Sequence, residues 1–357
     1  MLEFEPDVRL LNFAYNEGIA VLSRSDLTCT SLSSKSDTDI AIDYLNNIDA
    51  NCLLTATSVN STNWERFFLA AARELSIPSI AVLDFWSSYR ARFSDEGGAE
   101  IILPDKLAVM DERAKAEAVR AGLPESHIVV TGQPAFDALS KTRRLFNNDL
   151  KLQQRTSLSV SEDELLVLFV SQPLHEMQAT HGLAGQGFNE FQVVQEVLES
   201  LECIAQKSGR KILFLIRLHP RELSSKYDWL ESSHIRIATS TIGSSREIAM
   251  SANLVVGMNS VLLLEACYLG CVVVSVQPSM TGKDNLPTNS LGVSYAVYES
   301  KKICMSLEKY LLNPIARESM ISRGKCLSEG GGAARRISAL VLSDLQTAST
   351  PGAEFLS

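Results

Sequence analysis

One short polar turn between two apolar runs has the sequence features of a phosphate-binding site. Residues 254–256 and 271–276 are rich in β-branched side chains, and residues 261–269 between them have helical character. This pattern predicts a strand, a turn, a helix and a second strand, which together form a βαβ unit of a parallel sheet. The turn consists of Gly257, Met258, Asn259 and Ser260. Free backbone N–H groups and the helix dipole at such a turn favour an anion, so we predict that phosphate binds there.

Glu265 is the acidic residue closest to the amino end of this predicted helix. It lies about 6–7 Å along the axis from that end, at ~1.5 Å of rise per residue. Either Asn259 or Ser260 is suited to cap the helix, because both side chains accept backbone hydrogen bonds at helix starts. A carboxylate at this offset suits the hydroxyls of a ribose whose phosphate is held by the turn. The alternative is a capped core helix with a solvated Glu265.

A second candidate anion site follows the apolar run 211–218. His219 and Pro220 end that run, and Arg217 and Arg221 flank them. Ligands of parallel sheets bind at the carboxyl ends of strands, and guanidinium groups bind phosphate through paired hydrogen bonds. The alternative is a surface loop with salt-bridged arginines. Together with the turn at 257–260, this stretch predicts one phosphate or pyrophosphate held between two neighbouring strand ends.

Asp84 is the candidate general base. It follows the predicted strand 79–83, and Trp86 and Tyr89 come directly after it. A carboxylate beside aromatic residues in a cleft is suited to proton abstraction, and aromatic rings pack against the apolar faces of sugars. The alternative is ordinary turn chemistry after a strand. Two weaker candidates are Asp95 and Glu96.

No group of residues has the spacing of a metal site. His175 and His181 lie six residues apart, which fits no helix face, so we predict no metal. The glycines of this loop, Gly182, Gly185 and Gly187, are better suited to let a loop approach a ligand. For Lys283 and Asp284 on a later loop, solvated charge is the favoured interpretation.

Composition excludes several classes of protein. The chain has 357 residues, which favours two domains, and its net charge of −9 argues against a nucleic-acid surface. No apolar run approaches the ~20 residues of a membrane span, and no signal sequence is evident, so we expect a cytoplasmic protein. Peripheral contact with a membrane remains open. Seven cysteines without C-x-x-C spacing are expected to be reduced core thiols.

Strands and helices alternate along the chain, which predicts an α/β protein with mostly parallel sheets. We expect an N-terminal domain at 1–148, a C-terminal domain at 149–330, a helix at 331–347 and a disordered tail at 348–357. The boundary is placed in the polar stretch 147–162, which lacks apolar periodicity. The first predicted element is a helix at 7–16, which leaves open whether the first domain lacks its opening strand.

Three stretches, in this order, resemble one superfamily. The run 107–139 resembles the segment that closes the first domain of the UDP-N-acetylglucosamine 2-epimerase and glycosyltransferase superfamily. The sequence Arg-Leu-His-Pro-Arg-Glu at 217–222 resembles the His-Pro motif of those epimerases and of bacterial sialyl-, glycerophospho- and capsule-polymer transferases. Residues 257–276 resemble the nucleotide-binding segment of the second domain. The resemblance covers residues 50–280 and implies the GT-B fold, in which two Rossmann-like domains face each other across a cleft and the last helix crosses back to the first.

The resemblance also implies roles for individual residues. It places a nucleotide diphosphate near Asn259 and Ser260, with His219 at the phosphate and Glu265 at the ribose. The epimerases carry an acidic residue after the strand predicted at 52–57, where this chain has Thr-Ala-Thr-Ser. They also carry a glutamate after the next strand, where this chain has Asp84 in a different context. The carboxylates needed for epimerisation are therefore incomplete.

The sequence accordingly favours a metal-independent glycosyltransferase that acts in surface polysaccharide or glycoconjugate synthesis. Its substrates would be a nucleotide-sugar donor, bound in the second domain, and a saccharide or lipid-linked acceptor, bound in the first. No separate cofactor is expected. One alternative is a sugar-nucleotide 2-epimerase or hydrolase, and another is a non-catalytic protein that binds nucleotide sugars.

Overall fold

The computed structural model describes residues 7–15, 17–24, 27–58, 63–95, 100–176, 186–328 and 331–348. The chain divides into two compact units. Unit 1 comprises Met1–Asp137 and Gly332–Ser357, and unit 2 comprises Ala138–Gly331. The predicted tail lies outside the described residues apart from Ala348. In the described residues, no helix is both long enough and apolar enough to span a membrane.

Unit 1 contains a parallel sheet whose strands lie side by side in chain order. These strands are β3 (Leu53–Thr55), β4 (Ser79–Val82), β5 (Lys106–Val109) and β6 (Ile128–Val130). A separate parallel pair is formed by β1 (Phe13–Ala14) and β2 (Thr30–Ser31). The helices are α1 (Glu17–Arg24), α2 (Thr38–Asn47), α3 (Trp64–Glu74), α4 (Glu112–Arg120), the start of α5 (Pro134–Leu145) and α13 (Ala333–Ala348).

The prediction of a helix at 7–16 is wrong. Phe13–Ala14 form a strand, and the first helix begins only at Glu17. The backbone of this segment is fixed by pairing with distant residues, because Thr30 donates to Asn12 at 2.8 Å and Leu32 donates to Ala14 at 2.8 Å. Phe13 also packs edge-on against Tyr44. Unit 1 therefore has its opening strand.

The last helix, α13, begins at a carboxylate of unit 1. Asp137 accepts hydrogen bonds from the backbone N–H groups of Gly332, Ala333 and Ala334 at 2.8, 3.1 and 2.9 Å. Val341 of this helix packs against Ile80 of β4. A carboxylate on free N–H groups stabilises a helix start, which accounts for the position at which α13 begins.

Unit 2 is built on one parallel sheet in the order β12-β11-β10-β7-β8-β9. Its strands are β7 (Glu164–Val170), β8 (Lys211–Arg217), β9 (Arg236–Ser240), β10 (Leu254–Gly257), β11 (Val273–Val276) and β12 (Tyr295–Val297). Its helices are α6 (Asn148–Ser157), α7 (Glu190–Ser208), α8 (Ser245–Ser251), α9 (Val261–Tyr268), α10 (Pro287–Ser290), α11 (Ile303–Leu312) and α12 (Pro314–Ser328), with most of α5 preceding them. Every residue of β7 is buried, as expected for a central strand covered on both faces.

This strand order is that of a Rossmann fold, because the chain starts in the middle of the sheet and builds outward in two directions. The reversal of direction occurs between β7 and β10. Ligands of such sheets bind at the carboxyl edge, where the strands end, beside that reversal. The predicted α/β class with parallel sheets is confirmed. In this fold, a ligand is expected to bind beside the residues that follow β7 and β10.

The predicted domain boundary differs from the division between the units. The chain passes from unit 1 to unit 2 within α5, at Asp137 and Ala138, rather than in the polar stretch 147–162. Most of that stretch is the helix α6, whose Asn147 cap accepts from the N–H of Leu150 at 2.9 Å. No residue of α6 is fully buried, so its sequence lacks the apolar periodicity by which a helix is recognised.

Candidate functional site

The reversal point of the unit 2 sheet is bridged by a pair of amide side chains. Gln172, just after β7, and Asn259, just after β10, exchange two hydrogen bonds. The Asn259 backbone N–H donates to Gln172 Oε1 at 3.1 Å, and Gln172 Nε2 donates to Asn259 Oδ1 at 3.1 Å. Asn259 Nδ2 also donates to Gln186 Oε1 at 3.1 Å. The predicted turn therefore lies at the place where this fold binds ligands, and its asparagine is held by two glutamine side chains.

The turn at 257–260 has the predicted form of a helix start. Ser260 is the N-cap of α9, and its Oγ accepts from the N–H of Leu262 at 3.2 Å. Gly257 is closely packed, because a Cβ there would lie 3.0 Å from the carbonyl oxygen of Val170. Met258 is fully buried, so this predicted site residue presents no exposed surface to a ligand.

His219 lies on a turn that is closed by its own residues. The Glu222 N–H donates to the His219 carbonyl at 2.9 Å, and Glu222 Oε2 accepts from the His219 N–H at 2.6 Å. The Arg221 N–H donates to His219 Nδ1 at 3.2 Å. A neutral imidazole that accepts at Nδ1 carries its proton on Nε2. The half-buried ring of His219 can therefore donate a hydrogen bond to an anion.

The two arginines beside His219 have different surroundings. Arg217 donates to the carbonyls of Ile242 and Gly243 at 2.6 and 2.8 Å, and to the hydroxyls of Ser240 and Ser245. It thus fixes the loop between β9 and α8, and burial lowers the pKa of its guanidinium. The Arg221 side chain is exposed. The guanidinium of Arg217 is occupied by these hydrogen bonds to the loop, whereas the guanidinium of Arg221 is not held by that loop.

The prediction that the two anion sites follow neighbouring strands is wrong. His219 follows β8 and Asn259 follows β10, and β7 lies between them in the sheet. Two consecutive residues after β7 contact one stretch each. Gln172 pairs with Asn259, and Ser171 Oγ donates to Glu222 Oε1 at 2.8 Å. The end of β7 therefore links the two predicted sites.

Buried charges lie beneath the His219 turn. Glu190 and Glu222 have no exposed side-chain surface, and Lys226 between them is 5% exposed. Lys226 Nζ donates to Glu190 at 2.6 Å and to Glu222 at 2.7 Å. Burial alone would lower the pKa of Lys226, but these two hydrogen bonds raise it above the usual lysine value. None of the three was predicted as a site residue, although the Glu three residues after His219 resembles the Glu of a helix capping box.

Glu265 is largely buried and is paired with an arginine, so the alternative of a solvated Glu265 is wrong. Its carboxylate forms a two-point ion pair with Arg246, at 3.0 Å to Nε and 2.7 Å to Nη2. The hydrogen bond raises the pKa of Arg246. The Glu265 side chain is 16% exposed, so its remaining acceptor positions can still meet a ligand. Its predicted contact with ribose stays a prediction.

Two loops at the carboxyl edge of unit 2 are packed against each other. Thr281 donates its N–H to the Gln186 carbonyl at 2.8 Å, and a Cβ on Gly187 would lie 2.0 Å from the Ser279 carbonyl oxygen. His181, Gly182 and Gly185 of the predicted mobile loop lie outside the described residues.

The interpretation of Asp284 as solvated charge is wrong. Its carboxylate accepts from Gln277, Leu286, Asn289 and Tyr298.

In unit 1, Asp84 lies after β4 as predicted. Its side chain is 61% exposed, and its Oδ1 is 2.6 Å from Nη1 of Arg92. Arg92 is itself 7% exposed and also donates to the carbonyl and hydroxyl of Thr57 at 3.2 Å. Asp84 is thus an accessible carboxylate tied to the end of β3 through Arg92. Asp95, a weaker candidate, accepts from the Glu100 N–H at 3.2 Å, and Glu96 lies outside the described residues.

The prediction that Trp86 and Tyr89 form a platform for sugars is wrong. Both are buried, with 5% and 7% of their surface exposed. Trp86 Nε1 donates to both carboxylate oxygens of Asp111, and the Tyr89 hydroxyl donates to Glu117 at 2.9 Å. Burial and this hydrogen bond raise the pKa of Tyr89. These rings belong to the core of unit 1, and their partners lie too far along the chain to be read from the local sequence.

A second carboxylate of unit 1 was not predicted. Glu65, in the first turn of α3, accepts from the hydroxyls of Tyr15 at 2.9 Å and Ser58 at 2.7 Å. Tyr15 directly follows β1, and Ser58 follows β3. No cation pairs with Glu65 among the residues that the structure describes. Among all the residues that the structure describes, no three His, Cys, Asp or Glu side chains come together as a metal site would require.

Comparisons with known proteins agree with this fold. No protein-family model matches the sequence, and no curated protein matches it. Solved structures do match. The Neisseria meningitidis UDP-GlcNAc 2-epimerase bound to UDP-GlcNAc is 16% identical with a TM-score of 0.64, over 96% of this chain and 94% of that chain. Anabaena HepE in complex with UDP is 10% identical with a TM-score of 0.61, over 93% of this chain and 91% of that chain.

Acinetobacter baumannii MurG is a third similar structure. It is 12% identical with a TM-score of 0.56, over 93% of this chain and 90% of that chain. These identities are low, so the similarity shows the fold. The chain has the GT-B fold, with two Rossmann-like units, as the resemblance in the sequence implies.

Proposed function

We propose that the chain is a GT-B glycosyltransferase that binds the nucleotide diphosphate of a sugar donor at the carboxyl edge of unit 2. The observation that carries the proposal is the pair Gln172–Asn259. It fixes the start of α9 at the reversal point of a Rossmann sheet. Two of the similar structures contain UDP or a UDP-sugar, which makes a uridine nucleotide the first ligand to test.

Each proposed contact has a defined chemical role. Backbone N–H groups at the start of α9 and the Nε2–H of His219 donate to the diphosphate, and exposed Arg221 adds positive charge. Glu265 contacts the ribose. During transfer, the acceptor oxygen bonds to the anomeric carbon while the bond from that carbon to the phosphate oxygen breaks. The nucleoside diphosphate leaves with the electron pair, and Asp84 takes the acceptor's proton.

The second candidate function is a sugar-nucleotide 2-epimerase, because an epimerase is among the similar structures. The turn after β3 argues against it. Where the resemblance implies an acidic residue, the structure has Thr57, which is buried and donates to the Val82 carbonyl at 3.3 Å. A glycosyltransferase does not need a carboxylate at that point, since the leaving group is stabilised by the groups that bind the diphosphate.

One assay separates these functions. The purified chain is incubated with UDP-GlcNAc, other UDP-sugars, and CMP-, CDP- and GDP-linked donors, with and without saccharide and lipid-linked acceptors. Chromatography measures the released nucleotide, and proton NMR measures the configuration at C2 of the sugar. We expect nucleotide release that depends on an acceptor. Inversion at C2 without an acceptor would instead establish an epimerase, and binding without turnover would establish a non-catalytic protein.

Replacement of His219 tests the diphosphate contact. His219→Ala should weaken UDP binding by about 10- to 100-fold, since a hydrogen bond to a charged group contributes about 1.5–3 kcal/mol. Isothermal titration calorimetry gives the dissociation constant. His234→Ala is the matched control, because that histidine is exposed and lies before β9 rather than at the carboxyl edge. Equal dissociation constants for wild type and His219→Ala would remove His219 from the site.

A further inference from the structure

The turn that carries His219 has the hydrogen bonds of a helix capping box. In that motif, the capping side chain accepts from a backbone N–H two or three residues later, and a Glu three residues later accepts from the cap's own N–H. Here the Arg221 N–H donates to His219 Nδ1 at 3.2 Å, and the His219 N–H donates to Glu222 Oε2 at 2.6 Å. Pro220 occupies the position after His219, and a turn rather than a helix follows it. The cap, unusually, is a histidine.

These contacts decide which atom the imidazole presents to a ligand. Because Nδ1 accepts from the backbone, the neutral ring holds its proton on Nε2. If the turn opens, Nδ1 loses its donor and either nitrogen can carry the proton. The orientation and the tautomer of His219 therefore both depend on the turn staying closed.

Glu222 is anchored on its other side by buried groups. Its Oε1 accepts from Ser171 Oγ at 2.8 Å and from Lys226 Nζ at 2.7 Å. Lys226 in turn donates to Glu190 Oε1 at 2.6 Å, and Glu190 Oε2 accepts from the His175 N–H at 2.8 Å. Glu222 thus joins the His219 turn to the end of β7 and to the start of α7.

Stability alone does not explain this arrangement. Burying charges is costly, and apolar side chains of similar volume often replace a buried ion pair without loss of stability. Here two fully buried carboxylates share one ammonium group. Both oxygens of Glu222 also face donors, so an amide in its place would point an NH₂ group at one of them. The position requires a carboxylate.

We propose that Glu222 is a positioning residue, which holds the His219 turn closed so that Nε2–H faces the diphosphate. This inference rests on the proposed function, since it assigns Glu222 a role in the same binding site. Glu222 acts through His219 and does not touch the ligand, because its side chain has no exposed surface.

A double-mutant cycle with UDP tests the proposal. Calorimetry measures UDP binding to wild type, Glu222→Gln, His219→Ala and the double variant. We expect Glu222→Gln to weaken binding about tenfold in the wild-type background and less than twofold in the His219→Ala background. A positioning role requires this non-additivity. Equal fold-losses in both backgrounds, or no loss in the wild-type background, would overturn the proposal.

A measurement without ligand separates failure of the inference from failure of the proposed function. The chain has five histidines, so long-range proton–nitrogen NMR spectra are simple, and His219→Ala identifies the His219 signals. We expect the Nε2–H tautomer in wild type and a mixture of tautomers in Glu222→Gln. An unchanged tautomer in the variant would overturn the inference even if UDP binds. Loss of the tautomer in a protein that binds no UDP would leave Glu222 positioning His219 and would overturn only the nucleotide site.

Two further variants guard against loss of folding. Glu164→Gln removes a buried carboxylate at the opposite edge of the same sheet, so it should lower the melting temperature without changing UDP affinity or the His219 signals. If Glu222→Gln does not fold, Glu222→Asp takes its place. Its carboxylate is one methylene shorter and cannot reach both the His219 N–H and Lys226, so we expect a partial loss of the Nε2–H tautomer. A wild-type tautomer in Glu222→Asp would contradict the proposal.

Discussion

The carboxyl edges of the two sheets hold their polar side chains in different ways. In unit 2, the groups after the central strands are fixed to one another. Gln172 and Asn259 pair across the sheet, and Glu222 is locked by buried partners. In unit 1, Asp84 is largely exposed, and Glu65 has only hydroxyl partners among the described residues.

Under the proposed function, this difference corresponds to a division of roles. A site that binds the same diphosphate in every turnover benefits from groups that are already in place, because no ordering is then needed on binding. An accessible carboxylate is suited to proton transfer, because it can meet a substrate hydroxyl directly. We therefore expect changes in unit 2 to alter nucleotide binding, and changes in unit 1 to alter turnover alone.

The largest expected effect is on turnover, from unit 1. Asp84→Asn should lower acceptor-dependent transfer by about 100-fold or more, the usual contribution of a general base. The dissociation constant for UDP should not change. Glu65→Gln is the matched variant, and we expect its loss of turnover to be less than tenfold. A large loss in Glu65→Gln with a small loss in Asp84→Asn would assign the base to Glu65.

The next effect tests the packing of the unit 2 loops. Gly187 has a φ of +89°, and a Cβ there would lie 2.0 Å from a backbone oxygen of Ser279. Gly187→Ala should displace Gln186 from Asn259 and weaken UDP binding by about 30-fold, with roughly 1–3 kcal/mol of strain. Gly282→Ala is the control, because Gly282 has a φ of +93° with no atom within 4 Å of its Cβ. Equal losses in the two variants would mean that the loop contact does not support binding.

A smaller effect compares the two ends of β10. Asn259→Ala removes the side-chain hydrogen bonds to Gln172 and Gln186, and should weaken UDP binding about tenfold. Asn253→Ala acts at the opposite end of the strand, where Asn253 accepts from the Leu166 N–H at 2.8 Å. It should lower the melting temperature and leave UDP binding unchanged. Equal weakening of UDP binding by Asn253→Ala and Asn259→Ala would contradict a specific role for Asn259 at the carboxyl edge.

The smallest effect concerns metal removal. His219, Arg221 and the start of α9 supply donors for the diphosphate, so EDTA should change UDP affinity and transfer by less than twofold. The assay is repeated with added magnesium or manganese. Activity that EDTA abolishes and either metal restores would show that the phosphates need a cation that these groups do not supply.

The sequence predicted the parts of unit 2 that depend on neighbouring residues. The strand, turn and helix around 257–260 are marked by β-branched runs and a capping serine, and the structure has Leu254–Gly257 followed by Val261–Tyr268. His219 was placed correctly at the end of β8 for the same reason. The hydrogen bond from the His219 N–H to Glu222 was also within reach, because His-Pro-x-Glu has the spacing of a capping box.

Other features depend on distant partners and could not be predicted locally. Arg217 has the character of a phosphate ligand, but its donors are used by carbonyls 25 and 26 residues away. Trp86 is followed by polar residues typical of an exposed loop, yet its indole is buried against Asp111. The strand at Phe13–Ala14 exists because of pairing with Thr30–Ser31, which overrides the helical spacing of its own residues.

Hydrogen–deuterium exchange of the full chain, with and without saturating UDP, tests the assignment of the nucleotide to unit 2 most directly. We expect slower exchange after UDP binding in residues 171–176, 217–222 and 257–262. Exchange in residues 53–58 and 79–86 of unit 1 should stay the same. Protection confined to the unit 1 segments, with none at 217–222 or 257–262, would contradict a nucleotide site in unit 2.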